Sequence, residues 1–251
     1  MGGELPQTTG REVAGVVDEV GEGVSNTSPG DRVFGFSDDG AGAAELALLS
    51  HYAPIPPSLG FAEAACLPVA LETATRSLDV LGVGAGSSLL VNGAAGGVGS
   101  AVVQLAVARG ASVIGTASPA NHDYLRSLGA EPVAYGEGLV ERVRALAPDG
   151  VDVALDVAGS GVLPELIELA GDREHVVTIT DFGGAKKYGV TFSSGSDSGR
   201  ALHAIAEIGG LIEAGRFSLP VAQTFPLAEI AEAHRVSEDG HVRGKLVLLV
   251  C

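Results

Sequence analysis

The fold of this chain is decided by the stretch Leu89-Leu90-Val91-Asn92-Gly93-Ala94-Ala95-Gly96-Gly97-Val98-Gly99. Its first residues form a short apolar run, which is typical of a buried β-strand, and its glycines indicate a sharp turn into a helix. Gly93, Gly96 and Gly99 permit a tight turn, a close approach of the backbone to a bound group and close helix–strand packing. Because the N–H groups at a helix start attract anions, the stretch predicts a phosphate-binding turn.

The segments that follow the turn make this prediction more specific. A glycine triplet alone is weak in a chain with 37 glycines, and an ordinary strand–helix turn is the alternative. The triplet fits GxxGxxG, whereas the more familiar GxGxxG pattern would place Ala94 at its first glycine. The turn nevertheless follows a strand, opens a helix predicted over residues 100–109 and leads to a second strand over residues 112–116. This order is typical of a dinucleotide-binding βαβ unit.

The end of the second predicted strand bears on the choice of dinucleotide. A site that prefers NAD normally carries an acidic residue about 20 positions beyond the turn, where it binds the ribose hydroxyls. This sequence has Ser118 and Asn121 there, whose neutral groups tolerate a 2′-phosphate, and Tyr135 follows the next predicted strand. We therefore expect NADPH rather than NADH as the cofactor. The alternative for Ser118 and Asn121 is ordinary turn and helix-cap chemistry.

Beyond this unit, strand and helix patterns continue to alternate. Further helices are predicted over residues 122–128, 139–146 and 163–170, and further strands over 132–135, 151–156, 176–180 and 190–192. Such alternation indicates a parallel sheet with right-handed crossovers. The class is therefore α/β.

The two ends of the chain have a different pattern. Residues 1 to about 60 are β-rich, with strands predicted over 11–20, 32–36 and 43–49. Helices are predicted over 61–81 (with a break near Pro68), 199–214 and 227–236, and a last strand over 245–250 is expected to return to the first β region. These patterns predict a discontinuous outer domain around an inserted dinucleotide domain.

The composition excludes several kinds of partner. The formal net charge of −16 argues against binding to nucleic acid or to an anionic membrane, because both require a basic surface. Cys66 and Cys251 form no CxxC pair, so neither a disulfide framework nor a cysteine zinc site is indicated. No signal peptide or membrane span is predicted, and we expect a cytoplasmic protein.

Several motifs are similar to those of one known superfamily. They are Gly10-Arg11-Glu12-Val13-Ala14-Gly15-Val16-Val17, residues 21–24, Pro29-Gly30-Asp31-Arg32-Val33, residues 64–68 with Thr73, residues 93–106, Leu128-Gly129-Ala130 and residues 240–248. Together they resemble the medium-chain dehydrogenase/reductase superfamily, specifically its zinc-free quinone oxidoreductase (zeta-crystallin-like) branch. The resemblance implies a Rossmann-type doubly wound parallel sheet, residues 72–193, inserted in a β-rich GroES-like domain, residues 1–71 plus 194–251.

The resemblance also bears on metal binding. In the zinc-dependent relatives a ligand histidine stands where this chain has Arg11, and a ligand cysteine stands where it has Val69. The cysteine-rich structural zinc loop is absent as well, so we expect no bound metal. The six histidines are expected to be ordinary surface or core residues.

The activity implied by the resemblance is hydride transfer from NADPH to a quinone or an α,β-unsaturated carbonyl compound. Residues matching those that line the nicotinamide in relatives are Thr73, Val157, Phe182, Gly183 and Ser194, with Lys245 close to them in the matched tail. Together with the turn, the expected cofactor-binding set is Thr73, Gly93, Ala95, Gly96, Gly97, Val98, Ser118, Asn121, Tyr135, Val157, Phe182, Gly183, Ser194 and Lys245. A homodimer is expected from the family, with residues 190–192 as a candidate edge strand.

The start of the chain departs from the family pattern. Relatives carry about 50 to 60 more residues there, including an Asn-Pro-x-Asp stretch beside the nicotinamide, so we expect an outer domain that is incomplete at its start. No catalytic residue can be named for this reason. Two alternatives to a quinone or enone reductase remain open, namely an enoyl-thioester reductase and a catalytically impaired NADPH-binding sensor or relic.

Overall fold

The computed structural model describes residues 8–195, 199–240 and 242–250, without the side chain of Asp39. The chain divides into two compact units. The first consists of Met1–Glu72 and Leu202–Cys251, and the second of Thr73–Ala201. The domain boundaries at 71/72 and 193/194 stay a prediction.

The secondary structure of the described residues is as follows. The strands are β1 Glu12–Val16, β2 Arg32–Phe36, β3 His51–Pro54, β4 Ser88–Asn92, β5 Ser112–Ala117, β6 Glu131–Ala134, β7 Val153–Asp156, β8 Val176–Thr178, β9 Thr191–Phe192, β10 Val221–Pro226 and β11 Lys245–Leu249. The helices are α1 Phe61–Ala65, α2 Pro68–Val80, α3 Gly97–Ala108, α4 His122–Ser127, α5 Leu139–Leu146, α6 Leu163–Ala170, α7 Phe182–Tyr188, α8 Ala204–Glu207, α9 Gly209–Glu213 and α10 Ile230–Glu238. None of these helices is long and apolar enough to cross a membrane.

The second unit is built on a six-stranded sheet in the order β6-β5-β4-β7-β8-β9. All neighbouring strands in this sheet are parallel. The order reverses direction between β4 and β7, which is the doubly wound arrangement of a Rossmann fold. The predicted fold class is therefore confirmed, and the switch point lies where the phosphate-binding turn was predicted.

Buried apolar runs explain why these segments form central strands. Leu89, Leu90 and Val91 of β4 are completely buried, as expected for a parallel strand covered on both faces. Leu90 packs in one cluster with apolar residues of α5 and α6. On β5 a Cβ atom at Gly115 would come within 2.8 Å of Ala94 Cβ and 3.0 Å of Leu125 Cδ1, so glycine permits close helix packing there.

The first unit contains two small sheets. Strands β1, β2 and β3 form an antiparallel sheet in that order. Strand β11 returns to the first unit, which also holds the first β region, as expected. Among the described residues it pairs in parallel with β10, a strand that the sequence analysis did not predict, and not with β1, β2 or β3. The predicted strand over 43–49 is wrong. That segment is irregular, with Leu46 and Leu48 each 74% exposed, and the third strand lies just after it, in β3.

Two helix predictions need correction. The helix expected over 199–214 is two short helices, α8 and α9, because Gly209 and Gly210 disfavour a continuous helix. Helix α7 was not predicted at all. It is stabilised at its start by Asp181, whose carboxylate accepts a hydrogen bond from Gly184 N, and ends at Gly189 with φ +72°.

Candidate cofactor-binding site

The turn between β4 and α3 requires glycine at two positions. Gly93 has φ +85°, and a Cβ atom there would lie 2.8 Å from Ala158 Cβ in the turn after β7. A Cβ atom at Gly99 would lie 2.2 Å from Gly93 O and 2.8 Å from Ala94 Cα. These distances are below contact range, so the glycines hold the helix start close to the strand and to the neighbouring turn.

The start of α3 is suited to bind a phosphate group. The N–H groups of Gly93 and Ala94 are used within the unit, since they donate to Thr116 Oγ1 and Thr116 O. Those of Gly97 and Val98 lie in the first turn of α3, where an α-helix provides no acceptor. The N-cap residue Gly96 has no side chain to replace a ligand, and the first turn carries no acidic residue. The turn therefore has the bare backbone and the partial positive charge that a pyrophosphate site requires.

A buried polar network lies directly beneath the turn, and the sequence analysis missed it. Asn92, Thr116, Asp156 and Thr178 end or nearly end strands β4, β5, β7 and β8, and each is at most 2% exposed. Asn92 Nδ2 donates to Asp156 Oδ1 at 2.9 Å, and Thr178 Oγ1 donates to Asp156 Oδ2 at 2.8 Å. A polar residue closing each apolar strand is the pattern that could have revealed them.

The residues expected near the adenosine follow β5 and β6 at the same edge of the sheet. Asn121 Nδ2 donates to Ser118 Oγ at 3.2 Å, so the two side chains are adjacent. Tyr135 is 60% exposed. Arg142 holds the loop that carries Tyr135, because its guanidinium donates to the carbonyl oxygens of Ala134, Gly136 and Glu137.

The residues expected near the nicotinamide follow β7, β8 and β9. Val157 comes directly after β7, and Phe182 and Gly183 begin α7. The Phe182 side chain is 67% exposed and meets the Phe192 ring edge-on at a centroid distance of 5.4 Å. Since the carboxyl ends of parallel strands share one edge of a sheet, the structure brings Val157, Phe182, Gly183 and Ser194 to the edge that carries the turn.

Two expected residues, Thr73 and Lys245, do not follow a strand of the six-stranded sheet. Thr73 is a buried residue of α2, and its carbonyl oxygen accepts a hydrogen bond from Ser77 Oγ. Lys245 belongs to the first unit, where its Nζ lies 2.5 Å from Glu12 Oε2. The role of each in cofactor binding stays a prediction.

The described residues show no group of three histidine, cysteine, aspartate or glutamate side chains arranged to hold a metal ion. Arg11 is exposed, and Val69 N donates to Glu12 Oε1 at 2.9 Å. Cys66 is completely buried, and burial raises the pKa of its thiol to about 12, which disfavours the thiolate that a metal requires. Zinc independence stays a prediction, and the protonated state of the buried Cys66 thiol supports it.

The fold and this turn define a Rossmann-type α/β protein with a GroES-like domain. Residues 1–71 match the family described as "Alcohol dehydrogenase GroES-like domain", and residues 128–248 match "Zinc-binding dehydrogenase". The chain is 33% identical over 267 residues to a quinone oxidoreductase of Rattus norvegicus, covering 98% of this chain and 80% of that protein. The chain belongs to the medium-chain dehydrogenase/reductase superfamily.

Other relatives are longer than this chain. It is 36% identical to the spectinabilin polyketide synthase system protein NorB of Streptomyces orinoci, covering 95% of this chain but 12% of that protein. It is 32% identical to the chloroplastic NADPH-dependent alkenal/one oxidoreductase of Arabidopsis thaliana, covering 97% of this chain and 64% of that protein.

Solved structures agree with this assignment. An alcohol dehydrogenase superfamily protein from Novosphingobium aromaticivorans superposes with a TM-score of 0.85 at 27% identity, covering 98% of this chain and 83% of that one. The CurK enoyl reductase superposes with a TM-score of 0.83 at 28% identity, covering 98% of this chain and 80% of that one.

Proposed function

We propose that the protein is an oxidoreductase that binds NADPH and reduces a quinone or an α,β-unsaturated carbonyl compound without zinc. The observation that carries this proposal is the glycine turn after β4, where the start of α3 offers free N–H groups beside the switch point of the sheet. The similarity to the rat quinone oxidoreductase and to the plant alkenal/one oxidoreductase supports the choice of substrates.

The residues of the second unit have distinct tasks under this proposal. The N–H groups of Gly97 and Val98 bind the pyrophosphate, and the helix start supplies partial positive charge. Ser118 and Asn121 receive the adenosine ribose, where neutral groups accept a 2′-phosphate that a carboxylate would repel. Bound NADPH supplies a hydride to the electron-poor carbon of the substrate.

The experiment measures oxidation of NADPH and of NADH by the purified chain with a naphthoquinone and with a 2-alkenal. We expect turnover with NADPH that persists after treatment with a metal chelator. Activity with neither acceptor, despite tight NADPH binding, would instead favour the sensor or relic reading. Preference for NADH, or loss of activity on chelation, would contradict the cofactor or the metal part of the proposal.

An enoyl-thioester reductase is the second candidate. It is supported by the similarity to the polyketide synthase protein NorB and to the structure of the CurK enoyl reductase. Both candidates use the same cofactor turn, so they differ only in the acceptor. Comparing kcat/KM for a crotonyl thioester with kcat/KM for the quinone and the alkenal separates them.

We also propose that the protein forms a homodimer in the cytoplasm, as expected from its family. Among the residues that the structure describes, β9 pairs with β8 and is the last strand of the six-stranded sheet. Its open side offers backbone groups for pairing with another chain. Sedimentation over a range of protein concentrations tests the dimer, and a monomer at every concentration would contradict it.

A further inference from the structure

The side chain of Asp156 is the centre of the buried network beneath the cofactor turn. It is completely buried at the end of β7 and sits opposite Asn92 in the pairing of β7 with β4. The Asp156 carboxylate accepts hydrogen bonds from Asn92 Nδ2, Thr178 Oγ1, Ala158 N and Gly159 N, at distances of 2.8–3.1 Å. Thr180 Oγ1 lies farther away, at 3.4 Å from Asp156 Oδ2, and all five groups are donors to the carboxylate.

One branch of the network leads to the phosphate-binding turn. Gly93 N donates to Thr116 Oγ1 at 3.0 Å, and Thr116 Oγ1 donates to Asn92 Oδ1 at 2.8 Å. This fixes the amide of Asn92 so that its Nδ2 faces Asp156. A directed chain of hydrogen bonds therefore joins the first glycine of the turn to the carboxylate.

Two further branches lead to the turns that follow β7 and β8. The bonds from Ala158 N and Gly159 N hold the turn after β7, which is the turn that contacts Gly93. Thr178 Oγ1, which donates to Asp156, also accepts a hydrogen bond from Asp181 N at 3.1 Å. Asp181 in turn caps α7, the helix that begins with Phe182 and Gly183.

We propose that Asp156 is a positioning residue that holds the turns after β4, β7 and β8 in one arrangement for the cofactor. The inference rests on the proposed cofactor site, because these turns carry the residues assigned to the pyrophosphate and the nicotinamide. Among the described residues, the turns after β5 and β6, which carry Ser118 and Tyr135, donate no direct hydrogen bond to the Asp156 carboxylate. The network therefore positions the turns assigned to the pyrophosphate and the nicotinamide, and not those assigned to the adenosine.

The test compares Asp156→Asn with Asp152→Asn in the full chain. Asp152 precedes the same strand and accepts hydrogen bonds from Ser88 N and Ser88 Oγ at the opposite edge of the sheet, so it is a matched control. Two ligands are titrated against each variant. NADPH spans all the turns, whereas adenosine 2′-monophosphate carries only the adenosine half and its 2′-phosphate.

We expect Asp156→Asn to raise the Kd for NADPH at least tenfold and to change the Kd for adenosine 2′-monophosphate less than twofold. A purely structural role would raise the Kd for both ligands by similar factors, and that outcome would overturn the proposal. An unchanged Kd for NADPH would overturn it as well. Asp152→Asn should change neither Kd. If Asp156→Asn does not fold, Thr116→Val and Thr178→Val each remove one branch, and unchanged NADPH affinity in both overturns it. If the wild-type chain binds no NADPH, the proposed function itself fails.

Discussion

Lys245 and Glu12 form an ion pair that joins two strands distant in sequence, with Nζ 2.5 Å from Oε2. Their side chains are 23% and 16% exposed, and the other oxygen of Glu12 accepts the N–H of Val69 at the start of α2. Glu12 therefore links β1, α2 and β11. Lys245 was expected to bind the cofactor, and this pairing gives it a second task in the structure of the first unit.

The first prediction follows from that pair. Lys245→Met should lower the free energy of unfolding by about 1–3 kcal/mol, because it leaves a half-buried carboxylate without its cation. Denaturant unfolding measures this, and the double variant with Glu12→Gln should show a coupling of about 1 kcal/mol or more. The exposed pair of Arg126 and Asp123 is the control, and Arg126→Met should cost less than about 0.5 kcal/mol. Equal effects at both pairs would contradict the prediction.

The second prediction concerns the thiol of Cys66. Burial raises its pKa from 9.0 to about 12, so the folded protein keeps the thiol protonated where the unfolded chain ionises. Stability contributed by Cys66 is therefore fully present below pH 9 and falls as the pH rises towards 12. The difference in unfolding free energy between wild type and Cys66→Ala, measured across this range, should shrink with rising pH. In a Cys251→Ser background the native protein should also resist a thiol reagent at pH 8, at which about a tenth of thiols with the ordinary pKa of 9.0 are ionised. Rapid labelling of Cys66 in the native protein would contradict the prediction that its thiol stays protonated.

The Rossmann unit was predictable because its signals are local. An apolar run followed by glycines fixes β4 and the start of α3, since both the buried strand and the turn depend on neighbouring residues. Helices α5 and α6 match their predicted bounds, 139–146 and 163–170, for the same reason. The positions that require glycine, Gly93 and Gly99, also follow from the motif.

The parts that were missed depend on contacts between distant residues. Strand β10 is defined by its parallel pairing with β11. The segment 43–49 has residues typical of a strand, but it bends and pairs with no strand among the described residues. Helix α7 contains Gly183 and Gly184, which disfavour a helix until Asp181 caps it. Asp156 ends the strand predicted over 151–156, but its burial depends on the alignment of four strand ends and cannot be inferred from its own segment.

The third prediction separates the two tasks of glycine in the turn, which are close packing at Gly99 and the approach of a phosphate at Gly96. Gly99→Ala should destabilise the protein by about 2 kcal/mol or more, because its Cβ atom would lie 2.2 Å from Gly93 O. Gly96 has φ −74° and only an ordinary contact of 3.6 Å at its Cβ position, so Gly96→Ala should preserve the melting temperature. If a phosphate lies against this residue, Gly96→Ala still raises the Kd for NADPH several-fold. Thermal unfolding and fluorescence titration measure the two effects, and a Gly96→Ala variant with unchanged affinity would contradict the phosphate placement.

The fourth prediction tests which dinucleotide the pocket accepts. A carboxylate at position 118 would lie at the end of β5, where it repels a 2′-phosphate and accepts hydrogen bonds from unmodified ribose hydroxyls. Ser118→Asp should therefore raise the Kd for NADPH at least tenfold and leave the Kd for NADH unchanged or lower. Ser127→Asp adds the same charge on α4 and serves as the charge control, because the hydroxyl of Ser127 donates within its own helix, to Tyr124 O. Fluorescence titration of both variants with both cofactors measures the ratio. A parallel change for NADPH and NADH would mean that Ser118 does not face the 2′ position, and would contradict the proposed basis for binding NADPH.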